Sequence, residues 1–467
     1  VSLTRDLVDA VWSLDYEDLR EEDLRATRML LLDHVGVAAC GSATESARAA
    51  ARWAGSLGSD GTSFPVIGRP GTIPAVAAGL ANAVASHSIE YDDVHNAASL
   101  HPGVVIFPTA MSMATITGAS AADFLIAVVR GYEVMCRVGR AANPAAEYAR
   151  HFHPTATVGH LGSAAASASL LGLDRRQTTW ALGIASTMAG GGMQFLVDGS
   201  WTKRLHPALA TQNGINAARL ASESYLGGED GIGGSRGFLV SHSDDPHPEW
   251  LLENFGTDPL EVRATSIKAH TCCRYNQGPI DAVLELRAAH RLDPATIRSV
   301  TIGLPTAAVD IVAEPRQEKM RPKNTVDAQF SLPFGIAVAL LAGRAGLAQY
   351  TDAMLADADV LRVMELVDFE VDPEIDRFYP RQWKAWARVS LRDGGVVEAA
   401  VADPKGDPNN ALTDDELRAK FEELTSGCWG APRRERVRES IGGLGATATL
   451  GDLTAAMTLH SDEVATG

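Results

Sequence analysis

The sequence has little of what announces the commonest functions. Its 467 residues contain five cysteines, Cys40, Cys136, Cys272, Cys273 and Cys428. An odd, sparse set in a long chain offers no disulfide framework and points to a reducing, cytoplasmic setting. Cys-x-x-Cys and His-Glu-x-x-His spacings are absent, as are a Walker loop and a Gly-x-Gly-x-x-Gly after a strand pattern. Zinc signatures and nucleotide cofactors therefore lack support. Positive charge is in deficit: 41 Lys and Arg stand against 58 Asp and Glu, a net charge of −17. With no basic stretch, a nucleic-acid partner is not expected. Long apolar runs are lacking too, since residues 104–129 are interrupted by Pro108, Gly118 and Asp123. No membrane span is expected. The opening "VSLTRDLVDAVWSLDYEDL" carries charge throughout and does not read as a signal peptide.

What is present is a globular composition, 46% hydrophobic, in a chain long enough for two full-sized cores. Residues 1–262 are rich in Ala and Leu at helical spacing. In "SAADFLIAVVRGYEVMCRVG", Ser120 and Asp123 form a capping box, and Phe124, Leu125, Val128, Tyr132 and Met135 form a stripe. "HLGSAAASASLLGLD" and "NGINAARLASESYLGG" read as small-residue helices ending at Gly. After residue 263 the texture changes. "IRSVTIGLP" reads as a strand, "WARVSLRDGGVVEAAVA" as two strands around an Asp-Gly-Gly turn, and 278–291 and 326–343 as helices. The expectation is a mainly α protein, with an all-helical domain from 1–262 and 405–467 and a smaller α/β domain at 263–404. "DPKGDPNN" reads as the linker, and Thr413 as the cap of the helix after it.

Three segments carry chemistry. "SIEYDDVHNAASLHPG" gathers Glu90, Asp92, Asp93, His95 and His101 among small apolar neighbours. His-Pro recurs ahead of helical patterns at His101, His153 and His206. Proline favours the first helical position, so the three imidazoles are expected at helix N-termini, where free N–H groups and the dipole suit an anion. The plainer reading is that His-Pro only starts helices; His247-Pro248 occurs in a loop-like stretch. "GGGMQFLVDGSWTKRLHPALA" adds Lys203 and Arg204 just before His206, either at an anion site or as a solvated basic pair. "SIKAHTCCRYNQGPIDA" crowds Lys268, His270, Cys272, Cys273, Arg274, Tyr275 and Gln277 before a helix. Adjacent cysteines are poorly placed to chelate one ion, so no metal is expected there.

Taken together the motifs resemble the MmgE/PrpD family. The matching pieces are "LLLDHVGVAACG", "ANAVASHSIEYDDVHNAASLHPGVVIFPTAMSMA", "HFHPTATVGHLGSAAASASLLGLDRRQ", "DGSWTKRLHPALATQNGINAARLA", "SIKAHTCCRYNQGPIDA", "DAQFSLPFGIAVALL" and "PKGDPNN…DDELRAKFEEL", in order from about 30 to 425. The resemblance implies a helical domain with an α/β lid domain, a homodimer, no cofactor, and a site for small di- or tricarboxylates. Family members include 2-methylcitrate dehydratase, cis-aconitate decarboxylase and iminodisuccinate epimerase. Carried over by position, Asp93, His101, His153, Lys203 and Lys268 match catalytic positions. Cys273 stands near a histidine used by decarboxylase-like members. His95, Arg204, His206, Arg274, Tyr275 and Gln277 are the expected substrate contacts. The chain departs from the family at Phe334 (often Tyr), Gln277 (often His) and Gly233 (often Glu).

These readings converge on a lyase or isomerase that removes an α-proton, with a 2-methylcitrate dehydratase-like hydro-lyase first and a decarboxylase or epimerase as alternatives. Asp93 is expected to orient His101. The helix end and nearby carboxylates act in opposite directions on the imidazoles, so a titration near neutral is expected. A carboxylate sensor without turnover and a metal-dependent hydrolase remain open.

Overall fold

The structure, a computed structural model, describes residues 2–58, 61–257 and 259–460. The chain divides into two compact units. The first comprises the described residues of Val1–Met193, Trp201–Thr265 and Thr413–Gly467; the second comprises Gln194–Ser200 and Ser266–Leu412. Each is treated by itself.

The first unit is helical. Its principal elements are α1 (Glu21–Gly41), α2 (Ala75–Ser86), α3 (Gly103–Thr117), α4 (Ala121–Ala141), α5 (Pro154–Leu170), α6 (Arg175–Ser186) and α7 (Thr202–Ser222). Small residues let these helices approach closely: a methyl added at Gly159 of α5 would sit 2.9 Å from Ala210 of α7, and one at Gly162 would sit 2.7 Å from Met135 of α4. At such spacing one extra methylene is felt as overpacking. The Ser120–Asp123 capping box forms as expected, with both reciprocal backbone bonds. The expected stripe on α4 is buried, but Ile126 and Val129 are buried too, so most of the helix circumference is enclosed. α5 ends before a left-handed Gly172, whereas α7 ends at left-handed Ser224 (φ 63°) rather than at a glycine. Among the described residues no helix is long and apolar enough to cross a membrane.

The tail helix Asp414–Thr425 is capped by Thr413 as expected. Its buried Lys420 lies 2.6 Å from Asp33 Oδ1 on α1 and donates to the Tyr91 carbonyl at 2.9 Å. The tail thus anchors the acidic segment that follows α2.

Glu147, on the short helix Pro144–Ala149, is completely buried. Thr157 donates to its Oε1 at 2.8 Å, while its Oε2 has no hydrogen-bond partner among the described residues. Burial pushes the carboxyl up to about 8. The folded protein therefore holds this proton more tightly than the unfolded chain. The associated stability is complete below the ordinary carboxyl pKa and is lost as pH rises toward 8. Glu147→Gln, which cannot ionise, is expected to lose less stability than wild type between pH 5 and pH 8. Thermal midpoints of both proteins at the two pH values test this; an unchanged difference would refute it.

The second unit carries a four-stranded sheet of β1 (Ile297–Leu304), β2 (Val367–Val371), β3 (Ala385–Leu391) and β4 (Val396–Val401), in the order β2-β1-β3-β4. β2 runs parallel to β1, and the other pairs are antiparallel, with Val300 opposite both Val367 and Val389. Strands β1, β3 and β4 were expected. β2, "VDFEV", was not, although Val367, Phe369 and Val371 alternate with Asp368 and Glu370; the run is only five residues long, and of it only Val367 is buried. The helix Gln277–His290 also matches its expectation. The expected helix at 326–343 is two elements, Thr325–Gln329 and Leu332–Ala342, because Ser331 caps the second. The expected linker is a packed loop of this unit. Lys405 N–H donates to Asp281 Oδ2 (2.7 Å) and Ile267 N–H to the Gly406 carbonyl (3.0 Å). Gly406 has φ 90°, and a Cβ there would lie 1.8 Å from the Ile267 carbonyl oxygen.

Candidate functional site

The acidic segment leaves α2 at its C-cap, His87, and runs to the start of α3. It turns through Glu90 (φ 53°) and Ser99 (φ 48°), left-handed backbone that non-glycine residues adopt at a cost of about 1–3 kcal/mol. Asp93 terminates the turn. Its carboxylate accepts the Gly103 N–H through both oxygens (3.0 and 3.2 Å) and the Tyr132 hydroxyl at 2.7 Å. A side chain at position 103 would strike it, since a Cβ there would lie 2.7 Å from Oδ2. Burial pushes the Asp93 carboxyl up to about 7, against the Tyr132 hydrogen bond.

This geometry corrects the expected Asp93–His101 pairing. Asp93 offers His101 Nδ1 its backbone carbonyl, at 2.8 Å. The carboxylate at the ring is that of Asp92, whose Oδ2 lies 2.9 Å from His101 Nδ1 and 2.9 Å from His87 Nδ1.

The imidazoles of the His-Pro motifs converge. His153 caps α5, and His101 lies just ahead of α3. His206 does not head a helix: α7 begins at Thr202, so Lys203, Arg204 and His206 all lie in its first turns, with Pro207 inside it. Ring centroids of His101 and His153 are 6.3 Å apart, and those of His153 and His206 are 5.2 Å apart. Nδ1 of His153 and Nδ1 of His206 lie 3.0 Å from each other, so one donates and the other accepts. His87 completes the group, stacked on His153 at 5.9 Å. Burial, then neighbouring positive charge, holds His153 well below the usual imidazole range and His206 at about 4. For His153 this runs against the expected titration near neutral, because burial outweighs the nearby carboxylates.

Lys203 is buried and ion-paired with Glu90, so it is not an isolated cation. Arg204 donates to Ser46 Oγ at 2.9 Å. His95 has another neighbourhood: its Nε2 bonds Glu261 Oε2 (2.8 Å), its Nδ1 accepts the Ala98 N–H (3.2 Å), and both ring nitrogens are committed within the protein.

In the second unit, Lys268 is buried on the segment held by Gly406. Cys272 and Cys273 are free thiols, both buried, and the Cys273 N–H donates to the Gln329 carbonyl at 2.9 Å. Arg274 forms a buried ion pair with Asp407 and lies over Trp383. Tyr275 stacks on Trp383 at 4.4 Å, with its hydroxyl 2.8 Å from that of Tyr379. Gln277 clamps the preceding loop: its Oε1 accepts the His270 N–H, and its Nε2 donates to the carbonyls of His270 and Cys272. Phe334 is core, packed on Tyr350. In the first unit, a Cβ at Gly233 would fall 2.5 Å from Leu3, so the glutamate of other family members has no room there.

Among the described residues, two groups each bring their ligand-type atoms within 4.8 Å of one another: His87, Asp92 and His101, and His95, Cys136 and Glu261. Both are spaced for a divalent ion and equally for the hydrogen bonds just described. Sequence reading missed His87, Asp92 and Glu90 as site residues. Their signal was present in "HSIEYDD", where a histidine and three carboxylates follow an all-apolar helix.

Comparison with known proteins agrees with this architecture. The chain is 30% identical over 480 residues to the cis-aconitate decarboxylase-like protein oryM of Aspergillus oryzae, covering 97% of each chain. It is 27% identical to the cis-aconitate decarboxylase of Mus musculus, covering 90% of this chain and 86% of the mouse protein, and 26% identical to that of Homo sapiens, covering 90% and 87%. Residues 5–251 match the MmgE/PrpD N-terminal domain and residues 270–442 the MmgE/PrpD C-terminal domain. The chain belongs to the MmgE/PrpD family.

Proposed function

We propose that this protein is a lyase that removes the α-proton of a small di- or tricarboxylate without a cofactor. The observation that carries the reading is the cluster of imidazoles, His87, His101, His153 and His206, gathered with Asp92 and Lys203 in the first unit. A neutral imidazole with one nitrogen fixed by a neighbour is a ready general base. His101 or His153 takes the proton. Lys203 holds a substrate carboxylate and stabilises the enolate-like charge, and fixed donors in a dry site supply several kcal/mol of such stabilisation.

Loss of a β-hydroxyl from that enolate makes the enzyme a hydro-lyase of the 2-methylcitrate dehydratase type. The second reading replaces that proton abstraction: the bond to a substrate carboxylate breaks with loss of CO2, and a protonated imidazole returns one proton to the carbanion left behind, a reading favoured by relatives named cis-aconitate decarboxylases. Reprotonation on the other face would give an epimerase with Cys273 as second acid, although a buried thiol more simply fills space. A homodimer in a cytoplasmic setting belongs to the same proposal. The test is NMR-detected proton–deuterium exchange and product formation with 2-methylcitrate, cis-aconitate and iminodisuccinate. Binding without exchange or product would overturn the enzyme reading in favour of a carboxylate sensor.

A second expectation concerns metal. Dialysis against EDTA is expected to leave turnover unchanged. A stoichiometric metal whose removal stops turnover would refute this and make His87, Asp92 and His101 its ligands.

A further inference from the structure

His87 has no part in the reaction just described, yet it is the most enclosed ring of the cluster, with no exposed surface. It leaves the C-terminus of α2 and points Nδ1 at Asp92 Oδ2, 2.9 Å away. The same oxygen lies 2.9 Å from His101 Nδ1. One carboxylate oxygen facing two imidazole nitrogens accepts from both only if each ring carries its proton at Nδ1. His101 Nδ1 also faces the Asp93 carbonyl at 2.8 Å, which likewise requires a proton there. In its neutral form a His101 ring so held has its lone pair on Nε2. His87 in addition meets the edge of His101 (5.0 Å, 63°) and stacks on His153 (5.9 Å, 19°). Its Nε2 has no hydrogen-bond partner among the described residues.

We propose that His87 is a positioning residue of the proton-transfer centre: it grips Asp92 so that Asp92 locks His101 with its lone pair at Nε2, and its face sets the plane of His153. The physical reason is burial. A carboxylate with 2% exposure needs donors to stay ionised and oriented. With one donor removed, Asp92 takes up a proton or turns, and His101 loses the acceptor that selects its tautomer. Hydrogen-bond partners of this kind behind a working imidazole are typically worth about 10–100-fold.

The proposal rests on the lyase reading for its kinetic arm only. In the first arm, ligand-free full-length protein with 15N-labelled histidine is studied by NMR, with His101→Gln used to assign the His101 ring. Wild type is expected to show one His101 tautomer, protonated at Nδ1. His87→Phe keeps a flat buried ring but removes the donor, and is expected to show mixed tautomers. His87→Asn puts an amide N–H near the Nδ1 position and is expected to restore the single tautomer. In the second arm, with the panel acid that turns over, His87→Phe is expected to lower kcat about 10–100-fold with KM within about 3-fold, and His87→Asn to recover most of the loss. Should the Phe variant not fold, His87→Gln takes its place, because its amide reaches the Nε2 position instead. A His101 ring protonated at Nε2 in wild type, or the same tautomer and kcat in the Asn variant and in the Phe or Gln variant, would overturn the proposal. Absence of turnover with every acid while the tautomer pattern holds would overturn the lyase reading and leave the role of His87 standing.

Discussion

Lys203→Met is expected to lower kcat/KM by about 1,000-fold, the upper scale for losing one preorganised donor to a developing oxyanion. Methionine keeps the apolar length of the lysine stem and removes its charge and its three donors. The ion pair with Glu90 complicates a single substitution, because Glu90 would be left buried beside a thioether. Breaking one half of a buried pair costs about 3–5 kcal/mol of stability, so part of any loss in the single variant could come from unfolding. The double variant Lys203→Met/Glu90→Gln removes both charges together and is expected to be better folded and equally inactive. Steady-state kinetics on the panel acids, with circular dichroism and thermal melts, separate the two effects. Full activity in either folded variant removes Lys203 from the site.

His153→Ala and His101→Ala are each expected to lower kcat by at least ~100-fold, the usual scale for a general acid or base. The imidazoles stand within 6.3 Å of each other by ring centroid, so both are within reach of one bound acid. Asp93→Asn is expected to cost less. Its carboxylate holds the Gly103 N–H and the Tyr132 hydroxyl and does not face the ring, and an asparagine retains an oxygen acceptor for the backbone bond. The pH dependence has a definite sign. Burial holds His153 well below the usual imidazole range, so its basic form persists as pH falls through 6.5. If His153 is the base, the acid-side fall of kcat lies below that of an ordinary histidine rather than at neutral pH. Kinetics of the three variants across pH check this. Wild-type kcat in both histidine variants would make these residues helix caps and turn attention to Cys273, Tyr275 and the lysines.

Much of the architecture was legible because its determinants are local. The Ser120–Asp123 box, the Thr413 cap, the strands β1 and β3 and the Asp-Gly-Gly turn each involve residues a few positions apart, and each forms as read. The errors have local causes of another kind. β2 does alternate, as Val-Asp-Phe-Glu-Val, but the run is only five residues long, and four of the five are at least partly exposed. Pro207 suggested a helix start, but a proline is tolerated inside α7 when the helix is held by its neighbours. The glycine expected to stop α7 was not needed, because Ser224 takes the left-handed conformation.

The sequence by itself determined the mainly helical class, the strand-bearing second unit and the gathering of acid, imidazole and lysine into a few short segments. It could not say which partner each group takes. Asp92 and Asp93 are neighbours in the chain, and spacing does not distinguish them. Only the packed structure turns one toward His87 and His101 and the other toward Gly103 and Tyr132. Likewise His153 and His206 meet across 53 positions of sequence, and Lys203 meets Glu90 across 113. Tautomers and charge states follow from those long-range contacts and from burial. Both are properties of the assembled core, where desolvation and a single close neighbour outweigh anything the flanking residues dictate.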